Sequence, residues 1–420
     1  MDAKVSDVQD IRPSSSVVGP PTWRTPLVIL LCGCLIGVVG FGARGGLGFF
    51  LAPMSNAHGW GRDVFALALA IQMLLWGAAQ PFAGAIADRF GAMPVLSTGA
   101  LLYALGLASM AYATTPAMLH LTAGVVIGFG LAGASFTIVI GAFGRLMPPE
   151  WRSIAFGIGT ASGSFGQFLF SPLTVALIDQ FGWQHTLAIF AAVVLLIVPL
   201  SLALAAAPDA PAAAAAGPRQ SVTQALAEAL GHRSYVLLVL GFFTCGFQIF
   251  FVAVHLPAYL LDRGLPAWTG GWALAVIGLF NIIGAIVAGW LSAAMPKRYI
   301  LSIIYFGRAV AILVYIMLPP SALATLVFGA VLGLLWLSTV PPTSGLVALM
   351  FGTRWLAMLF GFAFFSHQVG GFLGVWLGGV LFERTGSYDA VWWLSILFGL
   401  LSAAINLPIV EKPVARLAPA

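Results

Sequence analysis

The chain has 420 residues, of which 60% are hydrophobic and only 7% are charged, and its net charge is +5. Soluble domains carry about 25% charged residues, so the composition excludes a soluble globular protein and indicates a polytopic membrane protein. The positive charge does not indicate nucleic-acid binding, because lysine and arginine lie in short loops rather than in a basic patch. The three cysteines all lie in apolar segments and predict neither a disulfide nor a metal site.

The first 25 residues are polar and lack the basic-then-apolar order of a signal peptide, so we expect the first apolar segment to be retained. Twelve segments then have the length and composition of a membrane span, which needs about 20 apolar residues. They cover residues 27–52, 63–87, 94–113, 117–145, 153–178, 186–207, 234–260, 268–292, 299–318, 321–350, 355–382 and 389–408. The sequence therefore predicts an all-α membrane protein with twelve transmembrane helices.

The distribution of lysine and arginine predicts the orientation. If the N-terminus is inside, the outer loops hold only Arg62, Arg263 and Arg384, and the other basic residues outside the spans are cytoplasmic. This is a strong positive-inside bias. We therefore expect both termini in the cytoplasm, and the compact loops suit a bacterial inner membrane.

One long loop divides the spans into six and six. The predicted divisions are a cytoplasmic tail at 1–25, a six-helix bundle at 26–207, a cytoplasmic linker at 208–233, a second six-helix bundle at 234–408 and a cytoplasmic tail at 409–420. The linker contains a proline- and alanine-rich segment, followed by a short amphipathic helix that opens at Ser221.

The two halves also show a weak internal repeat. A constant offset pairs Gly42 with Gly246 and Gly182 with Gly386. Two related six-span halves are one of the known plans of secondary transporters. The repeat predicts two pseudo-symmetric bundles around a central cavity.

The stretch Gly84-Ala-Ile-Ala-Asp88-Arg89-Phe-Gly91 lies between spans two and three. It resembles the loop signature of the major facilitator superfamily, although Ala92 and Met93 replace the basic residues that usually follow. The alternative interpretation is a capped helix end with a positive-inside arginine. The resemblance implies that Gly84, Asp88, Arg89 and Gly91 form a gate that closes the cytoplasmic side in the outward-open state.

Within that superfamily the sequence is similar to the monocarboxylate and oxalate–formate exchanger branch. The similarity rests on a glycine-rich first span followed by Gly59-Trp60-Gly61-Arg62, and on the span-eleven run from Ser366 to Gly374. It implies that His367 lies where oxalate–formate relatives carry a lysine that helps to hold the anion. Those relatives also carry an arginine in span eight, where this chain has an uncharged stretch around Asn281.

Two arginines, Arg44 and Arg308, lie within spans, whereas all 13 acidic residues lie in tails, loops or span ends. An unpaired buried charge costs several kcal/mol, so the missing counter-ion indicates an anionic ligand. Arginine favours a carboxylate because its planar fork donates two parallel hydrogen bonds. For Arg308 two interpretations remain open, namely a substrate ligand and a structural arginine bonded to helix ends.

The predicted substrate-binding residues are polar or aromatic side chains in the spans expected to line the cavity. They are Arg44, Gln248, Tyr259, Asn281, Arg308, Trp336, Ser338, His367 and Gln368. Because no span contains a mid-membrane acid, the candidates for proton coupling are His367 and His255. His255 lies near the outer end of its span, where a structural histidine is the alternative.

These observations predict a secondary transporter that moves a small organic anion, a monocarboxylate, by alternating access with proton coupling or exchange. We expect it to act as a monomer in the lipid bilayer, with no cofactor, metal, nucleotide or nucleic acid. The alternative is an exporter of amphipathic or neutral metabolites or drugs with the same fold. An enzyme is not expected, because the sequence contains no HExxH motif, no nucleotide-binding loop and no mid-span acid to orient a histidine.

Overall fold

The computed structural model describes residues 23–205, 221–352 and 355–414. Its α-helices, in chain order, are α1 Pro26–Gly45, α2 Leu51–His58, α3 Arg62–Phe90, α4 Ala92–Met110, α5 Pro116–Leu119, α6 Ile127–Gly133, α7 Phe136–Leu146, α8 Pro149–Leu195, α9 Ile197–Ser201, α10 Val222–Gly231, α11 Arg233–Asp262, α12 Ala267–Ala294, α13 Lys297–Met317, α14 Ala322–Leu335, α15 Val340–Phe351, α16 Leu356–Thr385 and α17 Asp389–Asn406. Short 3₁₀ turns at Leu47–Phe50 and Leu202–Leu204 and a π-helical segment at His120–Val126 complete them.

Eleven stretches of the described chain are long and apolar enough to cross a membrane. One of them, Ala155–Leu204, has 50 residues and would measure about 75 Å as one helix, against a hydrocarbon core of about 30 Å. It breaks at Gly182, whose φ of 75° and ψ of 165° are not helical. The stretch therefore holds two spans, and the prediction of an all-α membrane protein with twelve transmembrane helices is confirmed.

The internal repeat is visible in the backbone and in the packing. Gly386, the repeat partner of Gly182, also has a positive φ, of 68°, a region that residues with a side chain rarely adopt. In the first half, a Cβ on Gly166 of α8 would collide with the Val38 carbonyl of α1. The equivalent helices of the second half repeat this, because a Cβ on Gly370 of α16 would collide with a carbonyl of α11. Glycine thus lets the same helix pair approach closely in both halves.

The predicted helix that opens at Ser221 is present as α10. Its first turn carries a capping box, in which Ser221 Oγ accepts from the Gln224 amide at 3.2 Å and Gln224 Oε1 accepts from the Ser221 amide at 2.9 Å. These two bonds satisfy backbone donors that a helix start otherwise leaves free. Residues 206–220, which include the first half of the predicted linker, lie outside the described residues.

The two halves meet along two antiparallel helix pairs, α3 with α16 and α8 with α12. In the first pair, a Cβ on Gly379 would reach the backbone of Asp63, and a Cβ on Gly77 would lie 2.7 Å from Gln368 Cβ. In the second pair, Asn281 donates to Ser164 Oγ at 2.8 Å. The helices of each pair are therefore in contact at one end and at their middle.

At the other end both pairs separate. Continuing the same register brings Gly84 of α3 opposite Gly361 of α16, and Gly157 of α8 opposite Gly289 of α12. A Cβ on any of these four glycines would meet nothing within 4 Å. We call this the open end and the opposite one, which carries Arg62, the latched end. The halves form a clamp whose contacts run from the latched end to the middle of the helix pairs and are missing at these four glycines.

Candidate functional site

Arg44 lies near the end of α1 and deep within the protein. Its Nη2 donates to the Met73 sulfur at 2.8 Å, whereas its buried Nε has no hydrogen-bond partner among the described residues. Among the described residues no carboxylate pairs with it. The residue as a whole is partly buried. The structure thus places a cation with an incomplete set of acceptors at the centre of the molecule.

Aromatic rings from both halves surround this cation. The Cζ atom of Arg44 lies 4.4 Å from the ring centre of Phe250 in α11 and 5.3 Å from that of Trp76 in α3. Such contacts contribute about 0.5–2 kcal/mol each, with the larger values where water is excluded. The rings stabilise the charge but offer no oxygen to the unpaired N–H.

His367 of α16 belongs to the same cluster. Its ring centre lies 5.4 Å from that of Phe250 and 5.7 Å from that of Phe364, and Phe364 in turn lies 5.9 Å from Trp76. Its Nδ1 is 3.2 Å from Gln368 Oε1, and its buried Nε2 makes no well-formed hydrogen bond among the described residues, although the Cys245 thiol of α11 lies close to the ring. We call Arg44, Trp76, Phe250, Phe364 and His367 the central box. It holds two of the predicted site residues, each with one unsatisfied nitrogen.

Arg308 is fully buried but lies elsewhere, at the break between α14 and α15. Its Nε donates to the Leu335 carbonyl at 2.9 Å, and its Nη2 donates to the carbonyls of Leu335 and Trp336. The last carbonyls of a helix lack intrahelical partners and carry partial negative charge, so a cation is stable there. Of the two interpretations left open by the sequence, the geometry favours the structural arginine.

Gln248 shares this structural role. Its Oε1 accepts from Arg308 Nη1 at 3.5 Å, and its Nε2 donates to the Ser395 carbonyl of α17 at 2.8 Å. Both of its polar ends are therefore used inside the second half. The sequence placed Gln248 at the repeat position of Arg44, but the structure shows it bonded away from the central box.

Three further predicted residues also lie at the break after α14. Asn281 Oδ1 accepts from the Leu337 amide at 2.9 Å. Ser338 Oγ donates to the Leu334 carbonyl, and the Trp336 carbonyl accepts from Arg308. These bonds satisfy backbone groups that the broken helix exposes. Asn281 also donates to Ser164 and so connects the break to the first half.

His255 and Tyr259 lie towards the latched end, in α11. His255 Nε2 is 2.8 Å from the Val375 carbonyl, and because a carbonyl only accepts, Nε2 carries the proton. Its Nδ1 then accepts from the Tyr388 hydroxyl at 3.3 Å. Burial raises the pKa of Tyr388 to about 12, so the phenol stays protonated and can donate. Both ring nitrogens of His255 are used, as in a structural histidine, and Tyr259 packs on the Tyr388 ring at 6.2 Å.

The latched end is held by a network around Arg62, at the start of α3. Its Nη1 and Nη2 each donate to one oxygen of Asp262 at 2.6 Å, a bidentate pair between the two halves. Its amide donates to Glu383 at 2.7 Å, and Nη1 also donates to the Tyr388 hydroxyl at 3.0 Å. The Phe382 ring lies 4.0 Å from its Cζ. One residue of the first half is thus tied to α11, α16 and the start of α17.

Comparison with known proteins is consistent with this arrangement. The profile of the Major Facilitator Superfamily matches residues 33–375. The chain belongs to the major facilitator superfamily.

Relatives of this superfamily protein include an uncharacterized MFS-type transporter, YcxA, of Bacillus subtilis, 29% identical over 89% of this chain and 92% of the relative. Monocarboxylate transporter 11 of Homo sapiens is 28% identical over 79% of this chain and 71% of that protein. Among solved structures, a bacterial homologue of the human lysosomal transporter Spinster superposes with a TM-score of 0.75. It is 15% identical over 96% of this chain and 100% of that one. The fold is therefore that of a superfamily transporter rather than an enzyme.

The superfamily loop signature lies at the open end. Gly84 is a position with free space, Arg89 is exposed with its Cζ 5.2 Å from the Phe90 ring, and Gly91 has a φ of 92°. The side chain of Asp88 lies outside the described part of the structure. The gate role of these four residues stays a prediction.

Gln368 connects His367 of the central box to the backbone of α3. Its Nε2 donates to the Met73 carbonyl at 3.3 Å, and its Oε1 lies beside His367.

A separate cavity of about 610 Å³ opens at the latched end between α8 and α12, where Pro172, Asp179 and Trp268 are among its lining residues. That cavity does not include the central box, which is the better candidate because it holds the unpaired cation.

Sequence reasoning missed the three aromatic residues of the central box that are not histidine, and the neighbouring Met73. Met73, Trp76, Phe250 and Phe364 are apolar or aromatic residues in apolar spans, and nothing in the sequence distinguishes them from packing residues. One weak signal is that Met73 and Trp76 are three residues apart and therefore share a helix face. Only the charge of Arg44 and the polarity of His367 marked the site.

The Arg62–Asp262 pair at the latched end gives a testable prediction. Replacing Asp262 with asparagine removes the charge that holds Arg62, so the latched end should open more often. The measurement uses spin labels at the exposed residues Ala57 and Ala390 in a protein whose three native cysteines have been replaced. In Asp262→Asn the distribution of label distances should shift to longer values. The reversed pair, Arg62→Asp with Asp262→Arg, should largely restore the parent distribution. Equal distributions for Asp262→Asn and the parent would contradict this.

Proposed function

We propose that this protein is a secondary transporter that moves a small organic anion, a monocarboxylate, by alternating access. The observation that supports this best is Arg44, whose buried Nε has no acceptor and whose charge has no carboxylate partner among the described residues. A desolvated guanidinium of this kind gains most from an anion that accepts two parallel hydrogen bonds. A carboxylate has that geometry.

The state of Arg308 favours a substrate with one carboxylate rather than two. The carbonyls at the end of α14 and Gln248 already occupy its donors. Arg44 therefore provides the permanent cation of the central box, and a second carboxylate would have only a protonated His367 to compensate its charge. The names of the relatives, which include monocarboxylate transporter 11, agree with this substrate class.

His367 is the proposed proton site. The carrier must balance the charge of a bound anion, and no acidic residue lies mid-span. His367 Nε2 makes no well-formed hydrogen bond in the described structure and shares the Phe250 ring with Arg44. A proton on this nitrogen would neutralise the net charge that the anion brings in, as in proton symport, whereas anion exchange would need no such proton.

The arrangement of the halves supports alternating access. The positive-inside bias predicts that the latched end, with Arg62, faces outwards and that the open end faces the cytoplasm. In this assignment the structure is the inward-open state, and the outward-open state requires the Arg62–Asp262 pair to break and the open end to close. The central box lies between the two ends, so it can be exposed to one side at a time.

An uptake panel tests the proposal. Purified protein in proteoliposomes should accumulate at least one of lactate, pyruvate, formate and benzoate, and an inward-directed proton gradient should increase the rate if transport is symport. Oxalate should be a poor substrate, and lactamide and benzamide should not be transported. Uptake of the amides at the rates of the acids would instead support the alternative, an exporter or carrier of neutral amphipathic molecules.

A further inference from the structure

Met73 occupies the position on Arg44 where a carboxylate would bind. The Nε–H and the Nη2–H of a guanidinium point from the same edge and form a parallel fork. In Arg44, Nε has no partner and Nη2 contacts only the Met73 sulfur, at 2.8 Å. A thioether is a weak acceptor, so the Met73 sulfur occupies the fork without giving its two N–H groups good hydrogen bonds.

We infer that Met73 is a placeholder ligand, which the substrate carboxylate displaces from the fork of Arg44. This deepens the proposed function and rests on it. Two oxygens of a carboxylate replace one sulfur, and each charged oxygen is a stronger acceptor than a thioether. The methionine side chain has three rotatable bonds and can move aside without a change in the backbone.

Displacement of this side chain occurs at a contact between the two halves. The backbone carbonyl of Met73 accepts from Gln368 Nε2 at 3.3 Å, and one helical turn further along α3 Gly77 packs directly on the Gln368 side chain. Gln368 is also bonded to His367 at 3.2 Å. Met73 therefore touches the anion site with its sulfur and the α3–α16 contact with its backbone. The side chain that the carboxylate displaces therefore belongs to a residue at the contact between the halves.

The arrangement also gives Met73 an effect on affinity. Each carboxylate that binds must replace the sulfur contact, so Met73 weakens the binding of the substrate. In the substrate-free protein the same contact gives the guanidinium of Arg44 one weak acceptor. Leucine has a similar volume but no acceptor. Replacing Met73 with leucine removes the competitor while the surrounding packing is kept.

Thermal stabilisation of the purified full-length protein by sodium benzoate and sodium pyruvate, at constant ionic strength, provides the first test. Met73→Leu should lower the half-stabilising concentration of the active probe by about three- to tenfold, the range expected for removing one weak competing hydrogen bond. Met110→Leu, a change at a buried methionine of α4, is the control and should leave that concentration unchanged. A Met73→Leu protein with the wild-type concentration dependence would overturn the inference while leaving the proposed function intact.

The second test uses the unfolding midpoint of variants at position 73. Met73→Glu places a carboxylate on the fork, so at pH 8 it should raise the midpoint of thermal unfolding relative to Met73→Gln and abolish stabilisation by either probe. In an Arg44→Gln background the advantage of glutamate over glutamine should disappear. Equal midpoints for the two variants in both backgrounds would overturn the inference. If this cycle shows coupling but the wild-type protein binds neither probe, the fork accepts a carboxylate from position 73 but the substrate class chosen for the proposed function is wrong.

Discussion

Arg44→Gln is expected to abolish uptake of every carboxylate that the wild-type protein transports, while the protein remains folded. Loss of one partner of a buried, hydrogen-bonded charge pair costs about 2–5 kcal/mol, which corresponds to a reduction of about 30- to 4,000-fold. Arg44→Lys keeps the charge but loses the parallel fork, so it should retain only a small part of the activity. Initial uptake rates in proteoliposomes, with the amount of reconstituted protein measured, provide the test.

The unfolding midpoint separates this effect from misfolding. Glutamine removes a charge that no described carboxylate compensates, so the midpoint of Arg44→Gln should equal or exceed that of the wild-type protein. Arg308→Met is the matched comparison, because it leaves the carbonyls of Leu335 and Trp336 without their donor and should lower the midpoint. Wild-type uptake by Arg44→Gln would refute the proposed role, whatever the stability.

The contrast between these two arginines shows what the sequence could predict. A charge within an apolar span is expensive at any rotation of its helix, so both positions could be recognised as exceptional. Which partner compensates the charge depends on the helix rotation and on where a neighbouring helix breaks. The end of α14 supplies carbonyls to Arg308, and no local sequence pattern on α13 contains that information.

The aromatic part of the site was less predictable still. The chain contains 31 phenylalanines, and Phe250 and Phe364 differ from the rest only in tertiary position. The backbone, in contrast, was well predicted, because hydrophobic length determines a span and the paired glycines Gly182 and Gly386 mark equivalent turns. The repeat did not transfer to side chains: Arg44 faces the central box, whereas Gln248 at its repeat position bonds Arg308 and Ser395.

The open end leads to a second prediction with a large effect. The helix pairs α3–α16 and α8–α12 separate towards Gly84, Gly157, Gly289 and Gly361, where an added Cβ meets no atom within 4 Å. Larger side chains at these positions are therefore compatible with the structure described here. It is not compatible with a state in which this end closes to the spacing seen at Gly77, where a Cβ would be 2.7 Å from Gln368.

The double variant Gly84→Leu with Gly361→Leu is accordingly expected to fold normally and to lose nearly all transport. Replacing helical glycine favours the helix by about 0.5–1 kcal/mol per site, so the unfolding midpoint should not fall. Gly231→Leu, at another glycine with free space around its Cβ, is the control and should transport normally. Spin labels at Ala57 and Ala390 should show the double variant held in the latched distance, even at substrate concentrations that broaden the distribution of the wild-type protein. If the double variant transports at the wild-type rate, α3 and α16 do not approach each other at this end during the cycle, and the clamp closes elsewhere.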